Sequence, residues 1–261
     1  MRVFYLLLVA LCAAASPALA ADLSLQPQVP VIATSWTGFY IGANGGIVTQ
    51  TTTVQDLNNW TDNSPFDSRS RNLGGTAGVQ AGYNVQDGEF VYGIEADWSW
   101  TGTKGNKLLT DSCTCGQPVI TQIHTEMEWV ATVRGRVGLT VGRTLAYVTG
   151  GTAFASFNNH WGAGFPDPVA ECGGPPACGG TNNNNFVSRS VQPGWTAGFG
   201  IEHMFAAYPH LTFKAEALWL DFANNNVTNV GPRLVSGSPG PFTSQFQNQA
   251  ALGRVGLNYK F

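Results

Sequence analysis

Charge is scarce in this chain. Only 11% of its residues are Asp, Glu, Lys or Arg, against about 25% in an ordinary soluble domain, so a water-facing surface built from it would be poorly protected from association. The 13 basic and 16 acidic side chains leave a formal net charge of -3, and no basic run occurs, which excludes a nucleic-acid partner. There is no Gly-x-Ser-x-Gly, and His124, His160, His203 and His210 are scattered along the chain, so neither catalysis nor a cofactor is expected. His124, near Glu126 and Glu128, is the one rim histidine that merits inspection, and rim polarity explains it. Long apolar runs are nearly absent too. The stretch from Val3 to Ala15 is short of the roughly 20 residues a spanning helix needs. With Arg2 before it and Ala18-Leu19-Ala20 after it, it reads as a secretory signal over residues 1–20.

What the chain does have is glycine, aromatic residues and strict alternation. After a Pro-containing lead-in over 21–35, expected to be flexible, apolar residues recur at every second position, the period of a strand. Phe39, Ile41, Ala43 and Ile47 share one parity, opposite Tyr40, Gly42 and Asn44. In a second strand Leu73, Ala77, Val79, Ala81, Tyr83 and Val85 oppose Thr76, Gln80 and Asn84. Asp87-Gly88 signals a two-residue hairpin, which would pair Val85 with Phe90 and Ala77 with Trp98. The third strand sets Phe90, Tyr92, Ile94, Ala96, Trp98 and Trp100 against Glu95 and Asp97. In the fourth, Met127, Trp129, Ala131, Val133 and Val137 oppose Glu126, Glu128, Arg134 and Arg136. The fifth alternates weakly, and Gly150-Gly151 within it suggests a bulge or close packing. The sixth and seventh set Glu202, Lys214 and Glu216 on the polar side. The last, Arg254 to Phe261, places Val255, Leu257, Tyr259 and Phe261 opposite Arg254 and Lys260.

Long connections (50–71, 102–123, 158–189 and 224–246) alternate with short ones (87–88, 142–143 and 206–210). All long connections therefore share one rim and all short turns the other. The tryptophans Trp98, Trp100, Trp129, Trp195 and Trp219 fall at the long-connection ends of their strands; Phe90, Phe205, Phe213, Tyr259 and Phe261 fall at the opposite ends. Eight residues separate Phe90 from Trp98, which at ~3.3 Å each and a tilt of ~40° is on the order of 20 Å, close to the ~25 Å apolar band of a membrane barrel. The predicted fold is all-β: an eight-stranded antiparallel up-and-down transmembrane barrel over 36–261 with four long outer loops. A soluble sandwich would have to hide both girdles.

Several motifs in order carry a family likeness: Trp36-Thr37-Gly38-Phe39-Tyr40-Ile41-Gly42, Gly93-Ile94-Glu95-Ala96-Asp97, Val133-Arg134-Gly135-Arg136-Val137-Gly138, Tyr147-Val148-Thr149-Gly150-Gly151, Gly194-Trp195-Thr196-Ala197-Gly198, Lys214-Ala215-Glu216 and the terminal octapeptide. On these the chain resembles the small alphaproteobacterial outer-membrane immunogenic, or porin-family, proteins with an OmpA-like eight-stranded barrel. The resemblance implies residence in the outer membrane among its lipids, loops outside the cell and termini in the periplasm. It also implies a C-terminal signal, Leu257, Tyr259 and Phe261, read by the barrel-assembly machinery, and roles in envelope integrity and host contact. The third long connection and four mature cysteines depart from the commoner pattern, so loop-borne functions transfer least.

Two constellations follow from the residues themselves. Glu95, Asp97, Glu126, Glu128, Arg134, Arg136, Glu202, Lys214, Glu216, Arg254 and Lys260 lie on the inward parity. Unpaired, each would be costly, so their near-balance predicts a salt-bridged plug, with a solute-lining channel as the alternative. Cys113, Cys115, Cys172 and Cys178 lie in connections predicted to be extracellular, where thiols oxidise. A Cys172–Cys178 link around Gly173-Gly174-Pro175-Pro176 is favoured, since such a turn can bring the ends within ~5.5 Å. It leaves Cys113 with Cys115 in a tight ring; the other pairings would staple one loop to the next. Neither spacing matches a zinc knuckle, so no metal site is expected. Trp60, Trp161 and Phe165 are candidate contacts for a host or phage partner, or packing residues of the loops.

Overall fold

A period of two is met by strands alone, and strands are the only regular elements among the residues that the structure, a computed structural model, describes: 35–57, 67–112, 118–164, 184–232 and 239–261. They are β1 (Gly38–Asp56), β2 (Asp67–Asp87), β3 (Phe90–Ser112), β4 (Pro118–Val141), β5 (Thr144–Gly164), β6 (Asn184–Met204), β7 (Leu211–Phe222), β8 (Asn225–Pro232) and β9 (Pro239–Lys260). Each pairs antiparallel with its neighbour, and β1 also pairs with β9 from Tyr40↔Lys260 to Asp56↔Ser244, which closes the sheet. The nine segments make eight walls. β7 faces the second half of β9 and β8 its first half, so the two form one wall broken at Ala223–Asn224. There Ala223 N–H donates across to Pro193 O of β6 (2.8 Å).

The first hairpin turns one residue later than Asp87-Gly88 predicts. Asp87 pairs with Phe90, and the turn residues are Gly88 and Glu89. Gly88 has φ 59° and Gly142, in the matching turn between Val141 and Thr144, has φ 61°. Both turns place glycine first, where positive φ is required. The true pairs are Val85↔Tyr92 and Ala77↔Trp100. Because the slip is two residues, every side chain keeps its face.

The long connections begin later than the loss of alternation suggests. β3 and β4 stay paired from Trp100↔Trp129 out to Ser112↔Pro118, and β1 and β2 out to Gln55↔Asp67. The four connections rise from the barrel as paired ribbons. Their polarity misleads, because many of the inward positions past the ring, though buried, are polar, as at Gln50, Thr52, Thr125, Asn159 and Asn248, and no apolar side marks the strand. Cys113, Cys115, Cys172 and Cys178, the secretory signal and most of the lead-in lie outside the described residues.

The outer wall is apolar and open to its surroundings. Ile94, Val133, Val148, Phe199 and Val255 are half or more exposed, between a ring holding Trp98, Trp100, Trp195 and Trp219 and another holding Phe90, Phe205, Phe213, Tyr259 and Phe261. Water would not tolerate a continuous belt of this kind, whereas lipid requires it. Trp98 and Trp129 stack at 4.3 Å within the upper ring.

Candidate functional site

Eight strands enclose a lumen about as wide as two opposed side chains, and the inward parity fills it in layers. At the short-turn end lies a floor of Trp36, Val91, Leu145, Tyr147 and Met204. Trp36, expected to open the first strand, lies just ahead of β1; its backbone N–H donates to Gln86 Oε1 (2.7 Å) and its ring is buried.

Above the floor is the charge layer. Arg134 is its hub: it donates to Glu95 and to Asp97 Oδ2 (3.1 Å) through Nη2, to Glu216 Oε1 (2.9 Å) through Nη1, and to Thr132 through Nε. Arg254 clamps Asp97 and Glu216, with Nη1–Oδ1 and Nε–Oε2 both at 2.8 Å. Lys214 Nζ lies 2.8 Å from both Glu95 oxygens. Arg136 reaches Glu202 Oε2 (3.1 Å) and Asn84 Oδ1 (2.8 Å). Four cations thus meet four carboxylates (Glu95, Asp97, Glu202 and Glu216), all eight buried to within a few per cent. The balance fits the low-dielectric setting, where a surplus charge would be costly.

Two tyrosines complete the layer. Tyr40 donates to Glu95 Oε2 (2.8 Å) and Tyr147 to Glu216 Oε1 (3.1 Å). Their rings flank the Arg136 guanidinium at 4.6 and 5.3 Å. Arg136 Nη2 has no hydrogen-bond partner, and cation–π attraction stands in for one. Each ring lies across a glycine that is its direct cross-strand partner, Tyr40 over Gly82 and Tyr147 over Gly200. A Cβ at either glycine would fall 2.2 Å or 2.5 Å from the tyrosine. A tyrosine on the inward parity paired with a glycine is the signal that could have added both residues to the predicted set.

From this layer a chain of amides climbs one wall. Asn258 donates to Glu202 Oε1 (2.7 Å), Gln80 to Asn258 (2.5 Å) and Asn44 to Gln80 (2.8 Å). Above lies an apolar layer that includes Val48, Val130, Phe157, Leu218, Leu220, Phe222 and Leu252. A second polar layer follows, in which Thr103 donates to Gln50 (2.8 Å), Thr52 to Asn248 (2.8 Å) and Asn248 to Gln192 (3.0 Å).

The structure brings together eight of the eleven predicted lumen charges and not the other three. Glu126 and Glu128 face outward, because the β4 ladder shifts register between Met127 and Trp129. A single extra residue reverses the parity of everything before it, so Met127 turns inward and is fully buried. Glu128 instead pairs with Arg189 and accepts from Ser156 Oγ (2.9 Å). Lys260 lies at the rim, where its Nζ donates to Ser35 O. Gly150-Gly151 holds no bulge: a Cβ on Gly151 would lie 2.1 Å from Val133 O, so close packing is the reason for that glycine. Tyr259 and Phe261, of the terminal signal, stand outward in the lower ring, edge to face at 5.3 Å, with Leu257 beside them. The histidines stay out of the lumen: His203 and His210 are exposed, and His124 and His160 lie on the outer face of β4 and β5.

Residues 4–232 match the outer membrane protein beta-barrel domain family. The chain is 30% identical over 259 residues to the 31 kDa outer-membrane immunogenic protein of Brucella melitensis, covering 95% of each. It is 33% identical to the 22 kDa outer membrane protein of Rhizobium leguminosarum over 119 residues, 46% of this chain and 44% of that one. Among solved structures it is similar to the outer membrane protein OprG of Pseudomonas aeruginosa, at 11% identity and a TM-score of 0.48, covering 87% of this chain and 99% of that one. The closed eight-walled barrel with its lipid-facing belt belongs to the outer membrane beta-barrel family, and the protein is an outer-membrane protein.

Proposed function

We propose that this protein is a non-catalytic, non-conducting structural element of the outer membrane, with its paired ribbons facing outward and both ends of the barrel in the periplasm. The observation that carries this reading is the filled lumen. Conduction would have to break a balanced eight-charge layer and force open the apolar layers above and below it. Each is costly in a medium that offers the freed groups no water. In planar bilayers the purified barrel is expected to give no steady conductance; reproducible nanosiemens steps would overturn the reading.

Outside contacts belong to the ribbons, which extend the wall well past the tryptophan ring. Replacing the segment 158–189 with a short turn is expected to remove whole-cell contacts with host or phage while leaving the barrel folded. Membrane lipid covers the belt, and the assembly machinery is proposed to read the terminal aromatic. Deleting Phe261 removes one interface aromatic, yet it is expected to lower the amount in the outer membrane far more than shortening any ribbon. Unchanged levels would count against that partner. Labelling of a cysteine-free background carrying one new thiol at Glu89 or at Asn226 distinguishes the rims: an impermeant reagent added to whole cells is expected to reach the second and not the first.

A further inference from the structure

Beyond the bulge in β4, a feature of the outer wall belongs to neither the belt nor the lumen. His124 and His160 are direct cross-strand partners on β4 and β5, so their side chains leave the sheet on the same face. Their ring centres lie 5.5 Å apart, with the rings edge to face. Two imidazoles bound to one zinc ion, each at ~2.0–2.1 Å through nitrogen, set their ring centres roughly 5 Å apart. The separation found is thus close to that of a chelating pair without movement of either strand. Glu126, two residues along the same face, puts Oε2 at 3.9 Å from His124 Nε2. At that distance the carboxylate is not hydrogen-bonded to the ring, but its negative charge lies close enough to favour a cation held by the pair.

The position suits a site open to water. Because Glu128 is the added residue, four ladder steps separate His124 from Trp129 of the girdle, which at ~3.3 Å per step and a tilt of ~40° places the pair roughly 10 Å beyond it. Both rings are partly exposed. Among the described residues no three His, Cys, Asp or Glu side chains converge on one point. The donors are therefore two nitrogens, with water completing the shell.

We infer that His124 and His160 form a two-histidine clamp for a divalent late transition-metal ion such as copper, nickel or zinc, the class that imidazole selects. Bound metal ties β4 to β5 on the far side of the bulge.

The test uses the full barrel refolded in detergent, with any free thiols alkylated, and titrated with Cu²⁺, the strongest binder in that series. Wild type is expected to bind with an electron paramagnetic resonance signal carrying two imidazole nitrogens. His124→Asn and His160→Asn should each reduce that signal to one nitrogen or none. Both positions are outward-facing, so folding, checked by heat-dependent gel migration, should survive. Glu126→Gln, which removes a nearby negative charge, should weaken binding without changing the nitrogen count, whereas His203→Asn and His210→Asn should leave it unchanged. No saturable binding, a one-nitrogen wild-type signal, or a two-nitrogen signal that survives either substitution in the pair would overturn the assignment.

Discussion

Within the girdles and beyond them, the same strands follow different rules. Inside the membrane band the ladders run without a register shift, and the inward positions carry the eight-charge layer together with the amides, hydroxyls and glycines packed around it. At the level of the tryptophan ring the inward residues become apolar; past it the ladder slips at Trp100/Thr103 and at Met127/Trp129, the wall of β7 and β8 breaks at Ala223–Asn224, and many inward residues are amides and hydroxyls. Lipid explains the contrast. It demands one apolar face and closed hydrogen bonding at every level, so no residue can be added without turning a polar group into the bilayer. Outside the band both faces meet water or one another, and an extra residue is tolerated.

The largest break in this comparison comes from the charge layer. Arg134→Met removes the cation that Glu95, Asp97 and Glu216 share, and it should destabilise the barrel by about 3–5 kcal/mol in denaturant unfolding from lipid vesicles, because carboxylates are left buried without compensation. The double change Glu95→Gln with Lys214→Met, which removes one charge of each sign, should cost less than the single change. A double variant as damaged as Arg134→Met would mean that shape, not charge balance, governs the layer.

A smaller effect is expected in the apolar layer. Leu220→Ala, at a fully buried site, should cost about 3 kcal/mol through lost burial and the cavity left behind. Unlike the charge variant, a partner substitution that refills the volume should recover the loss. Between the layers, Tyr147→Phe deletes one hydroxyl donated to Glu216. It should cost about 2 kcal/mol, the usual scale for a hydrogen bond to a charged group, with the ring still stacked on Arg136. Equal unfolding of wild type and Tyr147→Phe would show that Glu216 is satisfied by its cations alone.

How much of this was legible in the sequence follows the same divide. The charge layer could be read because Glu95, Asp97, Arg134, Arg136, Glu202, Lys214, Glu216 and Arg254 sit on uninterrupted alternation. Turn chemistry fixed the parity even where it misplaced the turn by one residue. The apolar layer was not read. There Ala217-Leu218-Trp219-Leu220 is apolar on both parities, as it must be where lipid lies outside and a dry core inside, and alternation vanishes at the very level that has the most to bury. Glu126 and Glu128 were misassigned because a bulge carries no signature of its own: nothing in Glu126-Met127-Glu128-Trp129 marks Glu128 as the added residue. The ribbons were read as loops because their pairing rests on backbone hydrogen bonds, to which side-chain polarity is blind.

The smallest effect expected lies just outside the girdle, at the bulge itself. Glu128 accepts from Arg189 Nε (3.0 Å) and Nη2 (2.5 Å), yet the Arg189 side chain is 68% exposed. Partial desolvation at the wall pushes the Glu128 carboxyl up, but the hydrogen bonds from Arg189 and Ser156 outweigh it and hold the group below the usual carboxylate range. A depressed pKa stabilises the fold above the unfolded value of about 4.3 and ceases to do so as pH falls through the folded value. The pair should therefore matter at neutral pH and not in strong acid. Because solvent and salt screen an exposed arginine, Glu128→Gln should cost only about 0.2–1 kcal/mol at pH 7, and less in high salt. The difference between the variant and wild type should disappear on acidification below the carboxylate range. If instead Glu128→Gln costs as much as Arg134→Met, or if its cost persists in acid, Glu128 holds the bulge by packing rather than by charge, and the contrast between the inner and outer halves of the wall would have to be redrawn.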